Sequence, residues 1–218
     1  AGWCPVGWRR HPAHRAVRAP HEVIGPAVHG VERAGCDLEV RTTANSAATL
    51  TNPGAAFDLV RPGLAVYGLS PVPSLGDPSS FGLTPAMTLS ADLAGTKHLP
   101  SGQGLSYGHQ YVTSRDTTVG LVPIGYADGI PRNATNVGPV SLAGERHTVS
   151  GRVCMDQFIV DLGPQSEAQA GDTVTLFGTG ESGEPMAQDW AEATGTISYE
   201  IVTRIGARVP RMYVGGQQ

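Results

Sequence analysis

Roughly one residue in five is glycine or proline, 29 and 17 of 218, where a share of about 12% is usual. Each glycine lets the backbone turn at low steric cost, and each proline removes a donor and breaks a helix interior. A helical bundle or coiled coil is therefore excluded, and short strands joined by many turns are favoured. The glycines keep no period of three, so a collagen helix is excluded as well. With 40% hydrophobic residues the chain can bury a core. No run reaches the roughly 18 apolar residues that a membrane helix needs, and a net charge of −4 offers no basic field to a phosphate backbone. Neither a membrane nor a nucleic acid is expected as a partner. Cys4, Cys36 and Cys154 are odd in number and make no C-x-x-C pair, which suits a cytoplasmic location better than a secreted disulfide scaffold.

Along the chain the texture changes twice. Residues 1–36 interleave Arg9, Arg10, Arg15 and Arg18 with His11, His14 and His21, and Pro5, Pro12, Pro20 and Pro26 interrupt any helix. An irregular, poorly ordered basic segment is expected there. Cys4, His11 and His14 lack the paired spacings of a four-ligand zinc site, so no metal is expected. Residues 37–72 read as the closing α/β piece of a larger barrel: a strand over 37–41, a small-residue helix over 46–50, a loop at Asn52-Pro53-Gly54, then a strand and helix over 57–68. The Pro/Ser/Gly-rich stretch 70–80 reads as a linker. From 73 to 218 strands dominate. Apolar residues alternate over 87–93 and 119–123, and further strands are expected within 140–142, 149–162 and 174–177, with a last one over 207–214. One helix is expected over 184–193, where Met186, Trp190 and Ala193 share a face. The fold class is mainly β, an antiparallel barrel-like domain behind the last βα piece of a (β/α)8 barrel.

Six motifs occur in order: Ala44-Asn45-Ser46-Ala47-Ala48, Val60-Arg61-Pro62-Gly63-Leu64-Ala65-Val66-Tyr67-Gly68, Leu105-Ser106-Tyr107-Gly108, Ile124-Gly125-Tyr126-Ala127-Asp128-Gly129, Cys154-Met155-Asp156-Gln157 and Ile197-Ser198-Tyr199-Glu200. Together they resemble the C-terminal half to two-thirds of alanine racemase, over about residues 39–214. The resemblance implies an isomerase that interconverts L- and D-alanine through a pyridoxal phosphate aldimine and so supplies D-alanine for peptidoglycan. It also implies a homodimer with an active site shared between subunits, and two bases on opposite faces of the substrate: the cofactor lysine and a tyrosine from the other subunit.

Carried over by motif, Tyr107 is the catalytic tyrosine. A phenol is a poor base near neutrality unless cations or hydrogen bonds favour the phenolate; by itself Ser-Tyr-Gly reads as no more than a tyrosine on a glycine-rich turn. Arg61 faces the pyridine nitrogen, where an arginine donates without surrendering its proton and leaves the ring a weaker electron sink. Ser46, the backbone of Gly63 and Leu64, and Tyr199 hold the phosphate, in the manner of an anion over a helix N-terminus; Ser46 also reads as a helix N-cap. Met155 meets the substrate carboxylate through its N–H, leaving its side chain to the core, and Tyr126 and Asp156 shape the entrance, although Ala-Asp-Gly also reads as a hairpin turn.

Two departures from the family stand out. Thr42 replaces the histidine that usually bonds the pyridine arginine, which leaves the orientation of Arg61 open. Lys97 is the only lysine of the 218 residues and lies ten residues before Tyr107 in a strand region, so this chain by itself is expected to be inactive. An alternative follows, a non-catalytic fragment that serves at most as a dimer partner. Shifted by one base, codons for 26–31 spell a sensible helix, so a frameshifted or truncated gene is one expectation for the first 36 residues.

Overall fold

A computed structural model describes residues 25–26, 28–35 and 39–215. The chain forms two compact units, 1–86 and 87–218. The expectations for residues 1–24, including the Cys4, His11 and His14 grouping, lie outside the described residues. Residues 25–26 and 28–33 are helical (α1). Pro26 is therefore itself within helical residues and does not interrupt them.

In the first unit the strand expected at 37–41 lies instead at Thr42–Asn45 (β1), and residues 39–41 are outside any strand. It pairs in parallel with Leu59–Arg61 (β2), with Thr42 opposite Leu59 and Asn45 opposite Arg61. Between them runs Ser46–Thr51 (α2), capped by Asn45, whose side chain accepts the Ala48 N–H at 3.0 Å. Asn45 and not Ser46 is thus the N-cap. Small residues Ser46 and Ala48 face inward, and Asn52-Pro53 ends the helix because proline cannot supply the next donor. Arg41 forks onto Asp58, Nε to Oδ2 at 2.7 Å and Nη2 to Oδ1 at 3.0 Å, tying the entries of both strands together and holding that carboxyl at about 2. A four-residue helix, Gly63–Val66 (α3), follows β2. Val40, Leu59 and Val66 are exposed. The stretch 70–80 falls in this unit, where Ser70 is buried and donates to the Gly76 carbonyl at 2.8 Å.

The second unit is built from antiparallel sheets. One orders Phe158–Gly163 (β10), Thr117–Val122 (β7) and Gly95–Leu99 (β4); the other orders Leu89–Asp92 (β3), Thr173–Phe177 (β11), Pro139–Leu142 (β8) and Glu145–Thr148 (β9). A two-residue pair, Gly104–Leu105 (β5) with Tyr111–Val112 (β6), makes a small hairpin. Val122, Val140, Phe158, Val160 and Leu176 are buried because alternate residues of paired strands point the same way. Two helices, Ala187–Thr194 (α4) and Ser198–Thr203 (α5), close the unit. Asp189 accepts the Met186 N–H at 3.0 Å at the start of α4, and Gly195 ends it in the left-handed conformation.

Two expectations are corrected here. Residues 149–157 are not strand apart from an isolated bridge at Val149; β10 begins only at Phe158. Residues 207–214 form no strand: they have no sheet partner, and Met212, Tyr213 and Val214 are exposed. This backbone is held instead by Arg211, whose Nη2 donates to the Ile205 carbonyl at 2.7 Å. Strands β4, β5, β6 and β9 and helix α5 had no pattern strong enough to be expected.

Trp190 is the largest fully buried side chain among the described residues, and its Nε1–H donates to the Leu176 carbonyl at 2.6 Å. Gly138 lies against its ring, where a Cβ would come within 2.9 Å. Trp190→Ala is expected to lower the stability of this unit by about 3–5 kcal/mol, since a large cavity is left and a buried carbonyl loses its donor. Urea unfolding followed by far-UV circular dichroism measures this, and an unchanged midpoint contradicts it.

Candidate active site

In the first unit the two strand ends bring the predicted residues together. Ser46 opens α2 directly after β1, and Arg61 ends β2 opposite Asn45. Because Asn45 takes the capping role, the buried Ser46 hydroxyl is left to accept the Ala65 N–H at 3.1 Å. Gly63 and Leu64 stand one and two residues inside α3, positions whose N–H groups have no partner within a helix. Arg61 is exposed, and its Nη1 donates to Thr42 Oγ1 at 2.7 Å. Threonine is thus long enough to reach this arginine with a hydrogen bond. A hydroxyl, a pair of helix-opening amides and a steered guanidinium share the carboxyl ends of two parallel strands, the end at which such units bind ligands.

In the second unit Tyr107 sits on the turn between β5 and β6. It is 76% exposed, and its side chain makes no hydrogen bond among the described residues. The turn is strained: Ser106, Gly108 and His109 all have positive φ, at 57°, 73° and 47°. For the two non-glycine residues this costs on the order of 1–3 kcal/mol each. Arg152 stands beside it, since a Cβ on Gly108 would lie 3.7 Å from its Nε and Nη2. The Arg152 Nε is buried with no hydrogen-bond partner among the described residues.

The segment that carries Met155 and the turn that carries Tyr126 are clasped backbone to backbone. Tyr126 N–H donates to the Cys154 carbonyl at 3.0 Å and Ala127 N–H to that of Met155 at 2.9 Å. Gly125 permits this approach, because a Cβ there would run into the carbonyl oxygens of both Cys154 and Met155. The Met155 side chain is 54% exposed, not core. Ala-Asp-Gly forms a 3-10 turn, not a hairpin. Asp128 is buried and accepts the Gly125 N–H at 2.9 Å. Arg208 joins both segments, with its Nε 3.2 Å from Asp128 Oδ1 and its Nη2 2.7 Å from Asp156 Oδ1. Tyr199 is half-buried on α5. Lys97, by contrast, is an exposed residue of β4 opposite Val119. No group of three or more His, Cys, Asp or Glu side chains is arranged to hold a metal among the described residues. No helix there is long and apolar enough to cross a membrane.

With these arrangements in view, comparison with known proteins is decisive. The family model described as "Alanine racemase, C-terminal domain" matches residues 86–213, and "Alanine racemase, N-terminal domain" matches residues 10–71. The chain belongs to the alanine racemase family. It is 54% identical over 212 residues to the alanine racemase of Frankia casuarinae, covering 97% of this chain and 55% of that protein. The solved alanine racemase of Streptomyces coelicolor A3(2) is 55% identical with a TM-score of 0.92, over 95% of this chain and 54% of the other. An alanine racemase from Bartonella henselae, solved with covalently bound pyridoxal phosphate, is 28% identical with a TM-score of 0.81, over 94% and 54%. The chain spans about half the length of these relatives. The N-terminal match begins at residue 10 and so includes most of the first 36 residues.

Arg152, Arg208 and the pair Tyr111 and Asp161 were not read from the sequence as site residues. Only Arg152 carried a local signal, its place two residues before the Cys154-Met155-Asp156 motif. Two outcomes are expected here. Gly125→Ala separates the clasp at a cost of about 1–3 kcal/mol, so hydrogen exchange at the Tyr126 and Ala127 amides should rise about tenfold to a hundredfold while β7 stays protected. Equal protection in the variant contradicts the clasp. Burial and the hydrogen bond to Asp161 push the Tyr111 phenol up to about 12. The folded state thus holds this proton more tightly than the unfolded chain, and the associated stability is present below about pH 10 and lost as pH rises through about 12. A stability curve of this unit over that range should fall, and Tyr111→Phe should flatten the fall.

Proposed function

We propose that this chain carries the tyrosine-bearing β-domain and the arginine-and-phosphate corner of an alanine racemase, cytoplasmic and dimeric, whose product D-alanine serves peptidoglycan synthesis. The observation that carries this reading is the corner itself: Ser46 Oγ on the Ala65 N–H and Arg61 Nη1 on Thr42 Oγ1, at the carboxyl ends of a parallel pair. The donor set suits pyridoxal phosphate, a dianionic phosphate beside a weakly basic ring nitrogen. Ser46 and the amides of Gly63 and Leu64 would hold the phosphate, and Arg61 the ring nitrogen. When bound, that cofactor supplies the electron sink for loss of the α-proton.

The residues of the chain supply the rest. Arg61, already bonded to Thr42, donates to the ring nitrogen and keeps its own proton. Tyr107, free of hydrogen bonds within the described residues and carried on the turn whose Gly108 lies against Arg152, takes or returns the α-proton of alanine at its phenolic oxygen. The Met155 N–H binds the substrate carboxylate. Tyr126 and Asp156 narrow the approach, with Asp156 held by Arg208. A second reading, that these 218 residues act only as a partner, is favoured by one observation: the only lysine, Lys97, is exposed on β4. We place the cofactor lysine outside these residues. Incubated with pyridoxal phosphate, the purified chain should then show no alanine turnover, and turnover with borohydride-trapped cofactor on Lys97 contradicts this.

The shared-site reading is tested across subunits. A full-length relative whose matching tyrosine is replaced by phenylalanine loses a positioned base, worth about 10² to 10⁴ in rate. Co-expressed with it, this chain should restore racemisation in the isolated mixed dimer, and the Tyr107→Phe form should not. Rescue that survives Tyr107→Phe, or an isolated mixed dimer without rescue, overturns the role given to Tyr107.

A further inference from the structure

The turn that presents Tyr107 is poorly supported by its own hairpin. β5 and β6 share only the pairs Gly104 with Val112 and Leu105 with Tyr111, and a two-stranded hairpin has little stability of its own. Three of the four residues from Ser106 to His109 have positive φ. What fixes the turn must therefore come from outside the hairpin. At its base, buried Thr113 donates to the Pro100 carbonyl at 2.7 Å and accepts the Gln103 N–H at 2.9 Å. That anchors the strand roots but leaves the tip free to tilt.

A second anchor lies on β6, four residues beyond Tyr107. The Tyr111 hydroxyl donates to Asp161 Oδ2 at 2.7 Å, across 50 positions of sequence. The other Asp161 oxygen accepts from the Thr117 hydroxyl and from the Gly163 N–H at 3.0 Å. The Asp161 N–H donates to the buried Ser150 hydroxyl at 2.9 Å. Both Asp161 and Thr117 belong to the paired strands β10 and β7, so the acceptor is held by the sheet and not by the hairpin. Burial alone would raise the Asp161 carboxyl, yet the hydrogen bonds from Thr117, Tyr111 and Gly163 and the charge of Arg115 outweigh it and keep it below the usual range. The acceptor is thus an anion over the working pH range, which makes this a strong hydrogen bond. The Tyr111 ring also packs with Ile159 against Leu99, Leu105 and Val119.

We propose that Tyr111 and Asp161 are the positioning pair of the catalytic turn: their hydrogen bond fixes β6 to the sheet and so holds Tyr107 in the one setting from which it can work. This rests on the reading of Tyr107 as the proton-moving residue, but its test does not use racemisation. In this role Tyr111 is a positioning residue that acts through Tyr107.

The experiment is backbone and tyrosine-ring relaxation by NMR on the full 218-residue chain, with the Tyr107 signals assigned by Tyr107→Phe. In the unaltered chain the amides of 106–109 should have order parameters near the rigid value of about 0.85. Tyr111→Phe keeps the ring packing and removes only the hydroxyl, and Asp161→Asn keeps the shape and removes the charge. In each, the order parameters of 106–109 should fall below about 0.6, with the amides of β7 and β10 unchanged. Thr117→Val, which removes a donor to Asp161 but leaves Tyr111 its acceptor, should keep the turn rigid. A rigid turn in both Tyr111→Phe and Asp161→Asn overturns the proposal. So does unfolding of the whole unit in both, because the pair would then support the unit and not the turn. A turn that loosens as described, in a chain whose Tyr107→Phe form still rescues a partner subunit, leaves the positioning pair standing and removes only the catalytic role of Tyr107.

Discussion

The antiparallel pairing of β7 with β10 is the constraint on which the larger unit depends. Its register sets Phe158 opposite Val122, so the segment that enters β10, with Met155 and Asp156, and the segment that leaves β7, with Tyr126, emerge at the same end. Neither segment is in a sheet, and backbone without a ladder must find partners elsewhere when it is buried. Here the partners are each other, through the carbonyls of Cys154 and Met155. The same two strands carry Thr117 and Asp161, which reach the hairpin of Tyr107. One pair of strands therefore supports three motifs that lie far apart in sequence.

Charge is used at these junctions to join loops more than to add stability. Arg208 bridges Asp128 and Asp156, and Arg41 forks onto Asp58. These pairs are largely exposed, and exposed ion pairs contribute little to folding free energy. Their geometry matters more: Arg208 ties the turn at Tyr126 to the segment at Met155, and Arg41 aligns the entries of the parallel strands. Asp128 differs, because it is buried and also accepts a backbone N–H, so loss of its partners would leave an unpaired charge.

In the first unit a short parallel pair brings together residues that the sequence separates by about 15 positions. Asn45 caps α2 and leaves Ser46 available, while Arg61 is steered by Thr42. A parallel ladder places the carboxyl ends of both strands on one side, and the helix openings Ser46 and Gly63 follow from there. This is why two motifs that look unrelated on the page make one corner.

The sequence by itself determined the motifs, the mainly β texture and the helix at 46–51, because these depend on residue type and on periods of two or about 3.6 within a few neighbours. It also carried Tyr107, Arg61 and Met155, whose motifs are local words. It misplaced the first strand by about four residues and extended strands over 149–157 and 207–214, where apolar residues occur without a strand to pair with. Only the tertiary structure decided that Arg152 stands beside Gly108, that Arg208 spans Asp128 and Asp156, and that Tyr111 meets Asp161. Each of these contacts joins residues from 44 to 80 positions apart, a separation at which no local pattern constrains which side chains meet; chain packing chooses them.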